Sequence, residues 1–281
     1  MMMNINSKEI WENTYKDKNQ SGWLAQLVQL KLNQNVYLAY KSPEMIKTIL
    51  VEATSTLVSD IKEFKAKGFK IFFEGVSNYP NKTRLCIQLL DNDFEEIFFE
   101  ITDLLLESIK EVETEDILIK KVLERILIYQ AFFEKPKNTG FRINAQQGLF
   151  TELDFMEKKL FHKIGIDKCL NIWKAPDSGL HDFTGSGNSL EMKSTNTIPA
   201  QNIGVTSEFQ LNDKRVSSLY LCVTEINRNV TNGENLSQKI DKISTIIKDK
   251  EPDQSEKFDL LIAKYGYFNL HSPDYLTKFS V

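Results

Sequence analysis

The chain has 281 residues, 41% of them hydrophobic and 26% charged, with 12 Gly, 7 Pro and a formal net charge of −4. These values describe a folded globular protein with a sizeable core, and they exclude collagen-like, low-complexity and disordered classes. The mild acidity does not advertise nucleic-acid binding, but that affinity depends on a local basic surface and not on the total.

The opening Met-Met-Met-Asn-Ile-Asn-Ser-Lys lacks the apolar core of a signal peptide, and no run of about 18 apolar residues is present. A soluble cytoplasmic protein with no membrane association is expected. Cys86, Cys169 and Cys222 are far apart, odd in number and form no Cys-x-x-Cys pair, so they read as reduced core thiols.

Residues 7–34 read as mostly helical, with Trp11 and Trp23 as core anchors. Short β-rich runs follow at 36–40, 70–74 and 84–90, with Asn78-Tyr79-Pro80-Asn81 as a turn. A helix places Phe94, Phe98, Ile101 and Leu105 on one face, and a second, over 115–134, does the same for Ile119, Leu123, Ile126 and Leu127. Residues 91–116 hold eleven Asp or Glu against the single base Lys110, which reads as a solvated helix face. Lys135-Pro136-Lys137-Asn138-Thr139-Gly140 is the candidate linker, dividing an N-terminal mixed α/β module at 1–138 from a second domain at 139–281.

Beyond the linker a helix over 144–163 presents Leu149, Leu153, Met156 and Leu160 as a stripe. Strand candidates come next at 168–173, 180–183 and 189–194, and further apolar runs at 203–206 and 218–226 bracket Glu208-Phe209-Gln210-Leu211. An amphipathic helix at 234–250, a run at 257–263 of either type and an alternating strand-like end over 275–281 complete the chain. This order describes an α/β core with a mixed sheet flanked by helices.

The chemistry concentrates at residues 176–193. Asp182 ends one strand-like run, Gly185-Ser186-Gly187-Asn188 turns the chain, and Glu191-Met192-Lys193 lies on the next run. Such a hairpin brings two carboxylates and an ammonium to one end of a sheet. Oxygen ligands of that kind suit a hard cation such as Mg2+, and an adjacent lysine can activate water, which is the chemistry of phosphodiester cleavage. Acid-x-Lys also occurs at Asp60-Ile61-Lys62, Glu63-Phe64-Lys65 and Glu157-Lys158-Lys159. Those copies sit in stretches with helical apolar spacing and read as solvated faces, so context selects the copy at 191–193. The Gly185-Ser186-Gly187 turn lacks the Lys-Ser/Thr and following helix of a phosphate loop. His181 precedes Asp182, but successive strand residues point to opposite faces, so it reads as packed or superficial. Trp173 reads as core, and His162 and His271 have no partner spacing.

Glu152 sits three residues after Leu149 and four before Met156, at the margin of the helical stripe. Helix with Glu, strand with Asp, strand with Glu-x-Lys is the order of the PD-(D/E)XK nuclease superfamily, which residues 145–226 resemble. The resemblance runs through Gly148-Leu149-Phe150-Thr151-Glu152-Leu153, Trp173-Lys174-Ala175-Pro176, Asp182-Phe183, Leu190-Glu191-Met192-Lys193-Ser194-Thr195, Ser207-Glu208-Phe209-Gln210-Leu211 and Leu219-Tyr220-Leu221. It is similar above all to a bacterial family associated with restriction and antiviral defence gene clusters. The resemblance implies a restriction-endonuclease-like fold and a Mg2+-dependent nuclease acting on DNA, with Mn2+ able to substitute. It also implies that Asp182, Glu191 and the Met192 carbonyl hold the metal and that Lys193 activates water or steadies the transition state. Glu152 would help to position the metal, and Gln210 matches a polar residue that some members carry. His181 stands where the family's name has Pro. The alternatives are a non-cleaving DNA- or protein-binding subunit of a defence complex, or a ribonuclease of the same fold. Other defence proteins and a second copy of the chain are candidate partners. The basic surface is expected around the cleft, from residues such as Lys174, Lys214 and Arg215, with residues 91–116 turned away from a duplex.

Overall fold

Strand-period alternation builds the sheet of the first half. Strands β1 (Gly22–Leu27), β2 (Val36–Ser42), β3 (Ile46–Thr54), β4 (Phe64–Lys65), β5 (Phe69–Val76) and β6 (Tyr79–Leu89) pair in the order β1-β2-β3-β6-β5-β4, every pair antiparallel. One face, with Val36, Leu38, Ile49, Val51, Leu85 and Ile87, is buried. Helices α1 (Ser7–Asn13), α3 (Glu95–Ile109) and α4 (Glu115–Phe133) cover it, while α2 (Ser55–Val58) is a single turn after β3. Ile49, Phe69 and Ile87 meet Phe98, Ile101, Leu105 and Ile126 around a small apolar gap. Trp11 is fully buried, donates its indole N–H to the Ala39 carbonyl and packs on Phe98 and Phe99.

The computed structural model describes residues 6–14, 19, 21–31, 36–59, 61–133, 140–174, 181–196, 204 and 216–281. The chain divides into two compact units, Met1–Asn138 and Thr139–Val281.

In the second unit, α5 (Ile143–Phe155) runs through a π-helical turn at Met156–Leu160 into α6 (Phe161–Ile164), and α7 (Ile166–Ile172) follows. Strands β7 (Phe183–Gly185), β8 (Asn188–Thr195) and β9 (Ser218–Glu225) form a mixed sheet, with β8 antiparallel to β7 and parallel to β9. Strand β10 (Asn227–Arg228) pairs with β11 (Phe279–Ser280), and α8 (Leu236–Lys250) and α9 (Ser255–Tyr265) pack onto the core. A capping box closes the start of α8, with Asn235 and Gln238 each accepting the other's backbone N–H. Leu149, Leu153 and Met156 of α5 and its extension meet Met192 and Leu190 of β8 in one apolar cluster. Lys239, only 1% exposed, ties α8 to the α5 side through Asp154 and Glu157, each at 2.9 Å. Burial opposes its charge, but hydrogen bonds from Glu234, Glu157 and Asp154 outweigh that and hold its pKa above the ordinary value. The fold is therefore α/β, with a restriction-endonuclease-like mixed sheet and an N-terminal mixed α/β unit.

Three expectations from the sequence are corrected. Residues 7–34 are not mostly helical, because the helix stops at Asn13 and Trp23 lies on β1. Leu24 and Val28 are the buried pair there, and a four-residue spacing fits a strand's period of 2 as well as a helix. Residues 168–173 form most of α7 and not a strand, with Ile166, Cys169, Leu170 and Trp173 buried at i, i+3, i+4 and i+7. The Glu63-Phe64-Lys65 copy of acid-x-Lys ends in strand β4, Ile61 and Lys62 of the first copy belong to no helix, and the Glu157 copy lies in the π-helical turn. The run at 257–263 resolves as helix α9, and Cys86, Cys169 and Cys222 are free thiols.

The β7–β8 hairpin depends on its turn. Ser186 and Gly187 both have positive φ, 51° and 79°, and Gly185 pairs with Asn188. That is a two-residue type I′ connection, whose twist matches the flanking strands. A Cβ on Gly187 would lie 3.0 Å from Ser217 Oγ, and φ there is strained for any L side chain. Gly187→Ala should therefore lower unfolding stability by about 1–2 kcal/mol, measured by urea titration of the whole chain.

Candidate metal centre

The hairpin register decides which residues share a face. Phe183 pairs with Leu190 and Thr184 with Ser189, so extending the ladder by one position sets Asp182 opposite Glu191. Both then point away from the face that Leu190 and Met192 turn toward α5, and Lys193 follows Glu191 on the same side by strand alternation. Backbone contacts pin Asp182: its carbonyl accepts the Lys174 N–H at 2.7 Å, and Trp173 bridges to Phe183. The β7 ladder ends at Phe183, and the Asp182 carboxylate takes the next position, Oδ2 accepting the Met192 N–H at 2.6 Å. Glu191 Oε1 lies 2.8 Å from Lys193 Nζ, and both side chains are largely buried. Asp182 Oδ1 and Glu191 Oε2 make no hydrogen bond among the described residues.

Glu152 reaches this region from α5, and it lies within the buried surface and not at its margin. One of its oxygens, Oε2, accepts both the Trp173 indole N–H at 2.8 Å and the Tyr265 hydroxyl at 2.5 Å. The Tyr265 hydroxyl also lies 3.1 Å from the Lys174 carbonyl, and its ring stacks on Trp173 at 5.0 Å. Burial pushes the Glu152 carboxyl up to about 8, and the Asp182 charge adds to the effect, with Glu191 contributing less. Burial also raises Asp182, to about 6, against the opposing Met192 hydrogen bond. The Tyr265 hydroxyl is driven well above its ordinary value by burial and by the Glu152 charge. Three carboxyl groups thus share one electrostatic neighbourhood.

Residues expected at the site fall into two groups. Asp182, Glu191, Met192 and Lys193 lie together on the hairpin, and Glu152 is coupled to them through charge. Gln210, with Lys214 and Arg215, lies outside the described residues. Lys174 is described, and its Nζ bonds the Asn171 carbonyl at 3.0 Å. The Met192 side chain is in the core, so its ligand role would rest on the carbonyl alone. His181 is 6% exposed, and its Nε2 has no hydrogen-bond partner among the described residues. Tyr265 was not foreseen. It lies 113 residues from Glu152 in the chain, and no local spacing marks it.

Among the described residues no group of three or more His, Cys, Asp or Glu side chains is gathered as a metal cage. The donors still suit Mg2+. That ion binds through one or two carboxylates and completes its shell with water and substrate phosphate, and Asp182 and Glu191 each have an oxygen without a hydrogen bond among the described residues.

A family model described as "Putative PD-(D/E)XK family member, (DUF4420)" matches residues 7–281. The chain belongs to this family, whose description points to nuclease-type chemistry. No curated protein and no solved structure matches it. No helix among the described residues is long and apolar enough to cross a membrane.

The buried acids make a stability prediction. A carboxyl whose folded pKa is raised holds its proton more tightly in the native state, so its contribution is complete below the unfolded value and fades as pH rises through the folded one. For Glu152 that window runs from 4.5 to about 8. Without divalent metal, the wild-type melting temperature should fall across this window, and Glu152→Gln should flatten the fall. Parallel pH profiles for the two proteins would contradict the assignment.

Proposed function

We propose that the chain is a Mg2+-dependent deoxyribonuclease, an endonuclease of a bacterial restriction or antiviral-defence system working in the cytoplasm. The observation that carries the reading is the hairpin that gathers Asp182, Glu191 and Lys193, where the buried Glu191 and the half-buried Asp182 each keep one oxygen without a hydrogen bond among the described residues. In this reading Asp182, Glu191 and the Met192 carbonyl would hold the cation, which would supply Lewis-acid charge and an acidified water. Mn2+ substitutes, since the ligands are all oxygen. Lys193 would orient the attacking water and offset charge developing on the phosphoryl oxygens. Glu152, held by hydrogen bonds from Trp173 and Tyr265, would help to position the metal. Gln210, outside the described residues, keeps only the role the resemblance implies, that of a further polar catalytic residue. The 1–138 unit supplies recognition of DNA or of a defence partner, and a homodimer would let two sites cut two strands.

The test is cleavage of plasmid DNA, single-stranded DNA and RNA, with and without Mg2+ or Mn2+. Asp182→Ala and Lys193→Ala should each slow cleavage by about 10²–10³-fold or more while the protein folds normally, because these groups stabilise charge at a strand end and not the apolar core. DNA affinity should survive Asp182→Ala. Cleavage of RNA alone would make the protein a ribonuclease. An inert protein, alone and with its genomic neighbours, would leave a non-cleaving DNA- or protein-binding subunit in its place.

A further inference from the structure

The helix-free face of the N-terminal sheet has a composition that the cleavage site does not use. Alternation turns Trp23 of β1, Tyr37, Ala39 and Lys41 of β2, Leu50 and Glu52 of β3, Arg84 and Cys86 of β6, and Lys70 and Phe72 of β5 to one side. Ala39, Leu50 and Cys86 form a buried floor, and Trp23, Tyr37 and Phe72 pack against it while remaining partly exposed. This cluster contains strand residues only, so α1, α3 and α4 do not supply its cover. Lys65 belongs to the same face by register, which gives four cations, Lys41, Lys65, Lys70 and Arg84, against the two acids Glu52 and Glu74. Lys82, at the strand end, pairs instead with Glu115 of α4 at 4.0 Å. Residues 1–138 as a whole hold 18 Lys or Arg against 21 Asp or Glu. The face is therefore a basic surface on an acidic unit.

The cations sit close to the rings. Lys41 Nζ lies 4.2 Å from the Trp23 ring centroid and Lys70 Nζ 4.5 Å from that of Phe72. Glu74 orients the first pair, accepting the Trp23 indole N–H at 2.7 Å and Lys41 at 3.2 Å, and Glu52 holds Arg84 at 2.8 Å. Rings anchored on a flat floor with flexible ammonium groups at their faces fit one class of ligand well. A base stacking on an aromatic ring outweighs an exposed cation–π contact, and the displaced ammonium stays within reach of the adjoining phosphate. Protein-interface cores are depleted of Lys, so interleaved Lys and aromatic residues favour nucleic acid over a protein partner.

We propose that this face is a stacking platform for unpaired nucleotides, binding single-stranded DNA or RNA through Trp23, Tyr37 and Phe72 and through Lys41, Lys70 and Arg84. The inference deepens the nucleic-acid part of the proposed function and does not depend on cleavage. Sequence preference is weak, because every base offers a π face.

The test uses the full chain carrying Asp182→Ala, so that strand cutting does not disturb binding. Fluorescence anisotropy follows labelled oligo-dT and oligo-U of about 20 nucleotides, longer than common single-strand site sizes, alongside a duplex of equal length. Trp11 and Trp173 are 0% and 1% exposed, so quenching of tryptophan emission by oligo-dT reports on Trp23. Trp23→Phe should abolish the quench and keep affinity. Trp23→Leu and Phe72→Leu should each weaken single-strand binding about tenfold or more, with a smaller loss for duplex. Lys70→Gln should reduce the slope of log K against log salt by about 0.7. Should a Leu variant fail to fold by circular dichroism, Lys65→Glu and Lys70→Glu decide by the same affinity loss. Unchanged oligonucleotide affinity in folded variants overturns the platform, as does a protein ligand that binds this face while oligonucleotides do not. Binding as expected with no cleavage by the wild type overturns only the nuclease reading.

Discussion

Strand parity at a single turn governs the candidate centre. Ser186 and Gly187 connect β7 to β8 with only two residues, and both adopt positive φ. With the loop length fixed, the register follows, and carried one position past Phe183 it sets Asp182 opposite Glu191. A slip by one residue would send every side chain of one strand to the other face and separate the carboxylates. The same parity buries Met192 against α5 while exposing its backbone N–H to the Asp182 carboxylate. Gly185 belongs to this constraint, since a Cβ there would meet Ile172 Cγ2 at 2.5 Å.

Burial gives that geometry its electrostatic character. Glu152 and Asp182 are acids in an apolar setting, and both are raised because water is withdrawn from their charged forms. The hydrogen bonds from Trp173 and Tyr265 to Glu152 oppose that shift without cancelling it. They also lock the carboxylate to one oxygen, leaving little rotational freedom. The α5 helix that carries Glu152 is itself braced by Lys239, whose ammonium is buried against Asp154 and Glu157. A buried charge is tolerated there because several carboxylates surround it. Carboxyls so placed repel one another when charged, and a cation between them would relieve that repulsion.

The two faces of the N-terminal sheet differ in composition. Its helix-covered face is a continuous apolar layer, from Val36 to Ile87. Its other face has a small apolar floor at Ala39, Leu50 and Cys86, with rings, ion pairs and the buried Thr48–Gln88 hydrogen bond at other positions. A sheet that needed the second face only for solubility would not require three aromatic rings there, because alternating polar residues suffice.

The sequence by itself determined the parts that local backbone physics controls. Gly185-Ser186-Gly187-Asn188 specified a tight hairpin, alternation placed Glu191 and Lys193 on one side, and apolar periodicity located α3, α4, α5 and α8 within a few residues. The order of Glu152, Asp182 and Glu191-x-Lys193 was likewise visible, and it led to the right family. Local signals failed where one spacing fits two periods, as with Leu24 and Val28, or where β-branched residues lie in a helix, as in α7. Only the tertiary structure decided what surrounds the acids. Tyr265 comes from α9 and Trp173 from the end of α7, and their meeting on Glu152 is fixed by how those elements pack onto α5. Burial, and with it the raised Glu152 and Asp182 carboxyls, is likewise a property of that packing, because the water withdrawn from a charge is excluded by residues distant in the chain.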